Sequence, residues 1–242
     1  MAASSKIDDS APYRALSLHR SAPPPKAGAL VDLRNLLAER FPQPSPPSTT
    51  RLATGLPAID RVTGGGLPKS AITELSSSQV SAGSALLLHA LLHNAQRDGY
   101  FLALVDGRDS FDPSALGGLG NRQLRNLLWV RCTKALDAVK AADLLLRDGN
   151  FPLVVLDLVL NASDELRKIP QTSWYRLQRL VETAPTAFLV LTRTSIISSA
   201  QLKLSLDNAW RLADLEQDHL TARLQILLKR AQGGREAIMG AG

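Results

Sequence analysis

The stretch 74-ELSSSQVSAGSALLLHALL-92 has the layout of a phosphate-binding loop and almost none of its chemistry. A short apolar strand runs into a loop of small residues, and the loop opens a leucine-rich helix. A loop of the G-x-x-x-x-G-K-[ST] type uses glycines to bring backbone N–H groups onto phosphates and a lysine to supply positive charge. The corresponding residues here are Ser77, Ser78, Gln79, Val80, Ser81, Ala82, Gly83 and Ser84. Ser77 and Ala82 stand at the glycine positions and Gly83 at the lysine position, so only the terminal hydroxyl of Ser84 remains. A scaffold kept without its ligand chemistry points to a sheet and helices that serve as surfaces.

Outward from this loop the chain alternates strands and helices. Apolar runs at 70–75, 100–106, 127–132, 152–159 and 187–193 read as buried strands, with helical spacing over 83–97, 134–149 and 173–184 between them. Continuous apolar strands separated by helices predict an α/β fold with a mainly parallel central sheet covered on both faces. The stretch 221-TARLQILLKR-230 instead alternates, which predicts a C-terminal antiparallel edge hairpin with a strand near Trp210, with Ala222, Leu224, Ile226 and Leu228 on one side. We divide the chain into a disordered Ser/Ala/Pro-rich tail over 1–27, an amphipathic helix and Pro-rich linker over 28–50, a core over 51–230 and a flexible tail over 231–242. In the 28–50 segment Leu30, Leu33, Leu37 and Phe41 recur at helical spacing. So short a helix between Pro-rich segments needs something to dock on.

Composition excludes several classes. No apolar run approaches the roughly 20 residues that span a bilayer, and the N-terminus carries acids without an apolar h-region, so neither a membrane protein nor a secretory signal is expected. The single cysteine, Cys132, excludes an intramolecular disulfide and a cysteine-based zinc cluster, and a cytoplasmic location is expected. The net charge of +6 is spread thinly: residues 1–50 carry six basic and four acidic side chains, and 51–150 carry eleven and nine. Autonomous DNA binding needs a focused patch. Arg122, Arg125, Arg131 and Lys134, with Lys140, form one only if the fold gathers them. His89 and His93 stand one helical turn apart, but the metal-protease glutamate and a third ligand are missing, so no metal is expected.

The order of features resembles the RecA recombinase core over roughly residues 52–200. The stretch 54-TGLPAIDRVTGGGLPKSAITEL-75 is similar to that family's lead-in and first core strand, and 105-VDGRDSFDPSALGGLG-120 to its second strand and Asp-Pro turn. In the same way 151-FPLVVLDLV-159 falls where the Walker B strand belongs, and 188-FLVLTRTSI-196 where the nucleotide-sensing strand belongs. Carried over through this resemblance, the catalytic glutamate position holds Arg108, and the sensing glutamine position holds Arg193. Only Ser84 and Asp157 persist from the ATPase set. A guanidinium cannot act as a general base at working pH. With Gly83 in place of the lysine, ATP hydrolysis and a nucleotide cofactor are not expected. An unusual DNA-dependent ATPase using a displaced lysine such as Lys69 is the enzymatic alternative.

Within that superfamily the pattern resembles the ImuA-like proteins, with degenerate and catalytically inactive cores. This resemblance implies a non-catalytic adaptor in SOS-induced translesion synthesis, with RecA and a Y-family-like translesion polymerase partner as binding partners and the Leu30–Phe41 face as a docking element. The SOS-type cell-division inhibitors are a second RecA-like group without ATPase motifs. DNA contact in recombinases comes from segments after the Walker B and sensor strands, here 161–172 and 194–207. Neither offers aromatics for base stacking, so DNA binding is expected to be weak or indirect. For Asp157 at a strand end we expect Arg108 or Arg193 to pair with it in place of metal and nucleotide.

Overall fold

The computed structural model describes residues 51–79, 82–113, 124–210 and 220–231. The N-terminal tail, the 28–50 segment with Leu30, Leu33, Leu37 and Phe41, Arg122 and the C-terminal tail beyond Ala231 lie outside the described residues.

The chain enters through a compact lead-in. Strands β1 (Arg51–Leu52) and β2 (Leu67–Pro68) pair antiparallel around the helix α1 (Pro57–Thr63). The Asp60 carboxylate holds the approach to α1. It accepts from the Thr54 hydroxyl at 2.7 Å, the Thr54 N–H at 3.0 Å and the Gly55 N–H at 3.2 Å. The glycine run then reverses the chain. Gly66 has φ +124°, and a Cβ there would collide with the Leu52 carbonyl, so glycine is required by both conformation and space. The Gly66 N–H donates to the Thr63 hydroxyl at 3.1 Å, completing the turn.

The core is a seven-stranded sheet of β3 (Ala71–Ser76), β4 (Leu102–Asp106), β5 (Leu127–Arg131), β6 (Leu153–Asp157), β7 (Ala187–Thr192), β8 (Leu202–Leu206) and β9 (Ile226–Ala231). Its order is β5-β4-β6-β7-β3-β8-β9, parallel throughout except for the antiparallel β8–β9 pair. The expected α/β architecture is therefore present. Strands β3, β4, β6 and β7 are buried on both faces, which is why they read as unbroken apolar runs. On one face α2 (Ser84–Asp98) packs Leu87, Leu91 and Leu92 against Leu75, Leu104 and Leu189. On the other face α3 (Ala135–Asp148) and α5 (Gln171–Glu182) bury Val139, Leu146, Trp174 and Leu177 against Val105, Val154 and Phe188. A short α4 (Ser163–Arg167) precedes α5.

Two features depart from the sequence reading. The connection from β7 to β8 passes β3 and returns to the other end of the sheet using only residues 193–201, without the helix that usually makes such a crossover. The antiparallel partner of β9 is β8, which ends at Leu206, and not a strand near Trp210, and the pattern of β9 is less regular than its sequence suggests. Leu224 and Ile226 are buried, but Ala222 sits exposed in the short 3-10 turn Leu220–Arg223, and Leu228 is 44% exposed. A register shift opposite Lys203/Leu204 interrupts the β8–β9 ladder, and strict alternation fails at such a bulge.

Candidate functional site

In open α/β sheets ligands bind beyond the carboxyl ends of the strands. Here that end gathers the loop after β3, Asp106, Arg108, Asp157 and Arg193. Each sequence-predicted residue except Arg122 and the Leu30–Phe41 set can thus be located.

The loop after β3 is turned onto its own chain. Ser77 is buried, donates its N–H to the Thr192 carbonyl at 2.9 Å and its hydroxyl to the Gln79 carbonyl at 2.6 Å. Gly83, with φ +103°, precedes α2, and a Cβ there would lie 2.9 Å from Leu224 Cδ2 and 3.1 Å from Trp210 Nε1. Both contacts come from the connection between β8 and β9. Asn208 from the same connection donates to the Ala82 carbonyl at 3.0 Å and anchors the Gln225 N–H at 2.9 Å. The volume a side chain at position 83 would need is therefore filled by Trp210 and Leu224. Ser84 follows at the first turn of α2, partly exposed. Lys69 precedes β3, whose length puts it about 20 Å from this loop, at the opposite end of the strand.

Two carboxylates face each other at the ends of β4 and β6, where Asp106 and Asp157 are register partners. Asp106 is buried and fully engaged, accepting from the N–H groups of Arg108, Ser110 and Phe111 at 3.2, 2.7 and 2.7 Å. Asp157 accepts one bond, from the Val159 N–H at 2.9 Å. Desolvation, with the nearby Asp106 charge adding to it, pushes the Asp157 carboxyl up to about 6, against the pull of the Val159 N–H. The ion pair expected for Asp157 is not formed. The Arg108 guanidinium donates to the Thr133 carbonyl at 3.2 Å, and Arg193 is exposed with no contact to Asp157. Arg108 reaches a backbone carbonyl on the neighbouring chain segment, and Arg193 extends into water.

The segments that follow β6 and β7 are tied to the body. Asn161 is buried and donates to the Gly107 carbonyl at 2.9 Å, and Glu165 accepts from the Ala135 N–H at the start of α3. The 194–207 segment is not a free loop: it contains the crossover and all of β8. Two of its backbone N–H groups are held by Glu74, a carboxylate on β3 that is only 1% exposed. Glu74 accepts from the N–H groups of Ile196 and Ile197 at 2.7 and 3.0 Å and from the Ser195 hydroxyl at 2.8 Å. Lys203 on β8 completes the arrangement, 3.1 Å from Glu74 and 2.8 Å from the Ser195 hydroxyl. The sequence reading missed this cluster; its signal was a lone glutamate inside an otherwise apolar strand.

The basic residues do not converge. Arg125 precedes β5 and Arg131 ends it, about 20 Å away along an extended strand. Arg131 lies over the Trp129 ring and pairs with Asp109 at 2.8 Å, and Lys140 pairs with Asp137 at 3.1 Å. Lys134 is exposed at the start of α3. His89 packs edge-on to Phe111, and burial holds its imidazole below the ordinary value. Among the described residues no three His, Cys, Asp or Glu side chains come together as a metal set, and no helix is long and apolar enough to cross a membrane.

Sheet order and loop placement thus define an α/β protein built like a phosphate-loop nucleotide-binding domain, with Trp210 and Leu224 packed against Gly83. Residues 43–168, more than half of the chain, match the RecA N-terminal domain, and the chain belongs to that family. Among similar proteins, the RecA of Frankia alni is 34% identical over 114 residues, covering 47% of this chain and 32% of the relative. The RecA of Clavibacter michiganensis subsp. michiganensis is 37% identical over 109 residues, covering 45% and 30%. That of Chlorobaculum tepidum is 34% identical over 109 residues, covering 45% and 31%. The match spans about a third of the length of these relatives.

Proposed function

We propose that this chain is a non-catalytic, ImuA-like member of the RecA superfamily that acts as an adaptor in SOS-induced translesion synthesis, binding RecA and a translesion polymerase partner. The observation that carries the non-catalytic part is the filling of the lysine position: Trp210 and Leu224 occupy the space beside Gly83. A nucleotide would meet a loop without lysine, without its glycines and without a catalytic glutamate. Such a site gives no means of coupling partner binding to ATP. The tethering of 161–165 and 194–197 to the body supports indirect rather than recombinase-type DNA contact. The adaptor role itself rests on the sequence resemblance, as does the docking role of Leu30, Leu33, Leu37 and Phe41.

The test is a binding titration of the purified chain against RecA and the polymerase partner, with and without ATP and magnesium. Saturable binding of equal strength in both conditions is expected, and a chain beginning at Thr50 is expected to lose it. Binding that requires ATP would end the non-catalytic reading. No binding to either partner would end the adaptor reading and favour a division-inhibitor role.

A further inference from the structure

The sheet ends on one side at β9, whose outer edge has no neighbouring strand among the described residues. An open edge is a row of unpaired backbone donors and acceptors, and proteins ordinarily blunt it with charge, bulges or proline. The start of β9 does the opposite. Leu227 is 46% exposed and Leu228 44% exposed, and they follow Ile226 in a run of three apolar residues. Their faces are fixed by the ladder to β8: Leu227 pairs with Ser205 and Leu228 with Leu204, so the two leucines project to opposite faces of the sheet. Blunting begins one residue later, with Lys229 at the register shift and Arg230 beyond it.

We infer that β9 is a two-fold interface between copies of this chain, with the β9 edges pairing antiparallel about Leu227. An antiparallel pair centred on that residue sets Leu227 against its own mate and Leu228 against Ile226 of the second copy. Lys229 then faces Gln225. A two-fold axis perpendicular to the sheet keeps the faces continuous, so each apolar side chain meets an apolar one on its own face. The same register keeps Lys229 and Arg230 away from their equivalents. Centring the pair on Lys229 would oppose two ammonium groups directly, and centring it on Leu228 would oppose Leu227 to Lys229. The side-chain order of β9 is therefore self-complementary in one register only, and the bulge lies just outside the three residues that this register pairs. A second copy fits better than an unrelated acidic strand, because the apolar run precedes the cations instead of alternating with them.

The arrangement is isologous and closed. It extends one sheet into a continuous two-chain sheet and leaves no further β9 edge for growth. It is independent of the proposed adaptor function and of nucleotide.

The experiment is the solution mass of the full chain across concentration, by light scattering or sedimentation, with and without a Leu227→Lys substitution. The expected result is a mass rising to two copies and stopping there, with Leu227→Lys remaining at one copy while its melting curve matches the parent at a dilution where the parent is itself one copy. A parent that stays at one copy overturns the inference, as does a mass that grows past two or a Leu227→Lys chain that still doubles. A second measurement reads the register without relying on a charged variant. In a Cys132→Ser background, Leu227→Cys is expected to cross-link between copies under mild oxidation and Lys229→Cys is not. Equal cross-linking at both positions, or none at 227, overturns the pairing even if dimers form.

Discussion

The turn that leads into β3 and the loop that leaves it are separated by six residues of strand and have been treated in opposite ways. The lead-in keeps a tight geometry, with Asp60 holding Thr54 and Gly55, and Gly66 packed where no side chain fits. The exit loop carries Ser77, Ala82 and Gly83 where the recombinase resemblance expects glycines and a lysine, and it is packed by Asn208, Trp210 and Leu224. The difference separates two demands on one strand. Residues that start the sheet are under a folding constraint whatever the protein does. Residues that hold a ligand are constrained only while the ligand matters, and once released they can be repacked against the chain itself.

The sharpest way to break this comparison is Gly66→Ala. Both a positive φ and a collision with the Leu52 backbone oppose it, so a loss of about 4 kcal/mol or more is expected in chemical denaturation. At Gly83 the neighbours are side chains that can move, and Gly83→Ala should cost about 1–3 kcal/mol. Equal losses at the two glycines would mean that the exit loop is as constrained as the lead-in. Beside β3, on the neighbouring β8, Lys203→Met removes the cation next to the buried Glu74 and should cost about 3 kcal/mol. It should also raise amide exchange at Ile196 and Ile197; unchanged exchange there would show that Glu74 does not hold the crossover.

A smaller effect of opposite sign is expected at Asp157. Its carboxyl titrates at about 6 in the folded chain, above the ordinary value. The folded state therefore binds more protons than the unfolded state between about pH 4 and pH 6. The stability this provides is complete below the unfolded value and is lost as the pH rises through about 6. Asp157→Asn should accordingly stabilise the protein at neutral pH by about 1–3 kcal/mol and have little effect near pH 4. A destabilised variant at neutral pH would mean that the ionised carboxylate has a partner. The smallest expected effect is on nucleotide. Gly83→Lys should leave fluorescent ATP binding at background, because the side chain would have to displace Trp210 and Leu224 to reach a phosphate. Binding restored by that one substitution would return the exit loop to the category of an intact site.

Much of the fold was legible because periodicity reports burial. The unbroken apolar runs of β4, β6 and β7 could only be strands covered on both faces, and the Thr54–Leu67 stretch carried its turn chemistry in local residues. The residues of the loop after β3 were legible too, since Gly83 ahead of Ser84 is a fact about one position. The wiring around Asp157 was not. Its expected arginine partners, Arg108 and Arg193, stand at the correct strand ends, yet their long side chains turn to Thr133 and to solvent.

The sequence by itself determined the alternation of strands and helices and which residues stand at the phosphate-loop positions, Ser77, Ala82, Gly83 and Ser84. Both depend on residues near one another in the chain. Only the tertiary structure decided what packs against that loop. Trp210 and Leu224 reach Gly83 from more than a hundred residues away, and Lys203 meets Glu74 across two neighbouring strands. Such contacts depend on strand order and register, which local pattern does not encode. A polar group taken out of water must find its partner wherever the fold brings one.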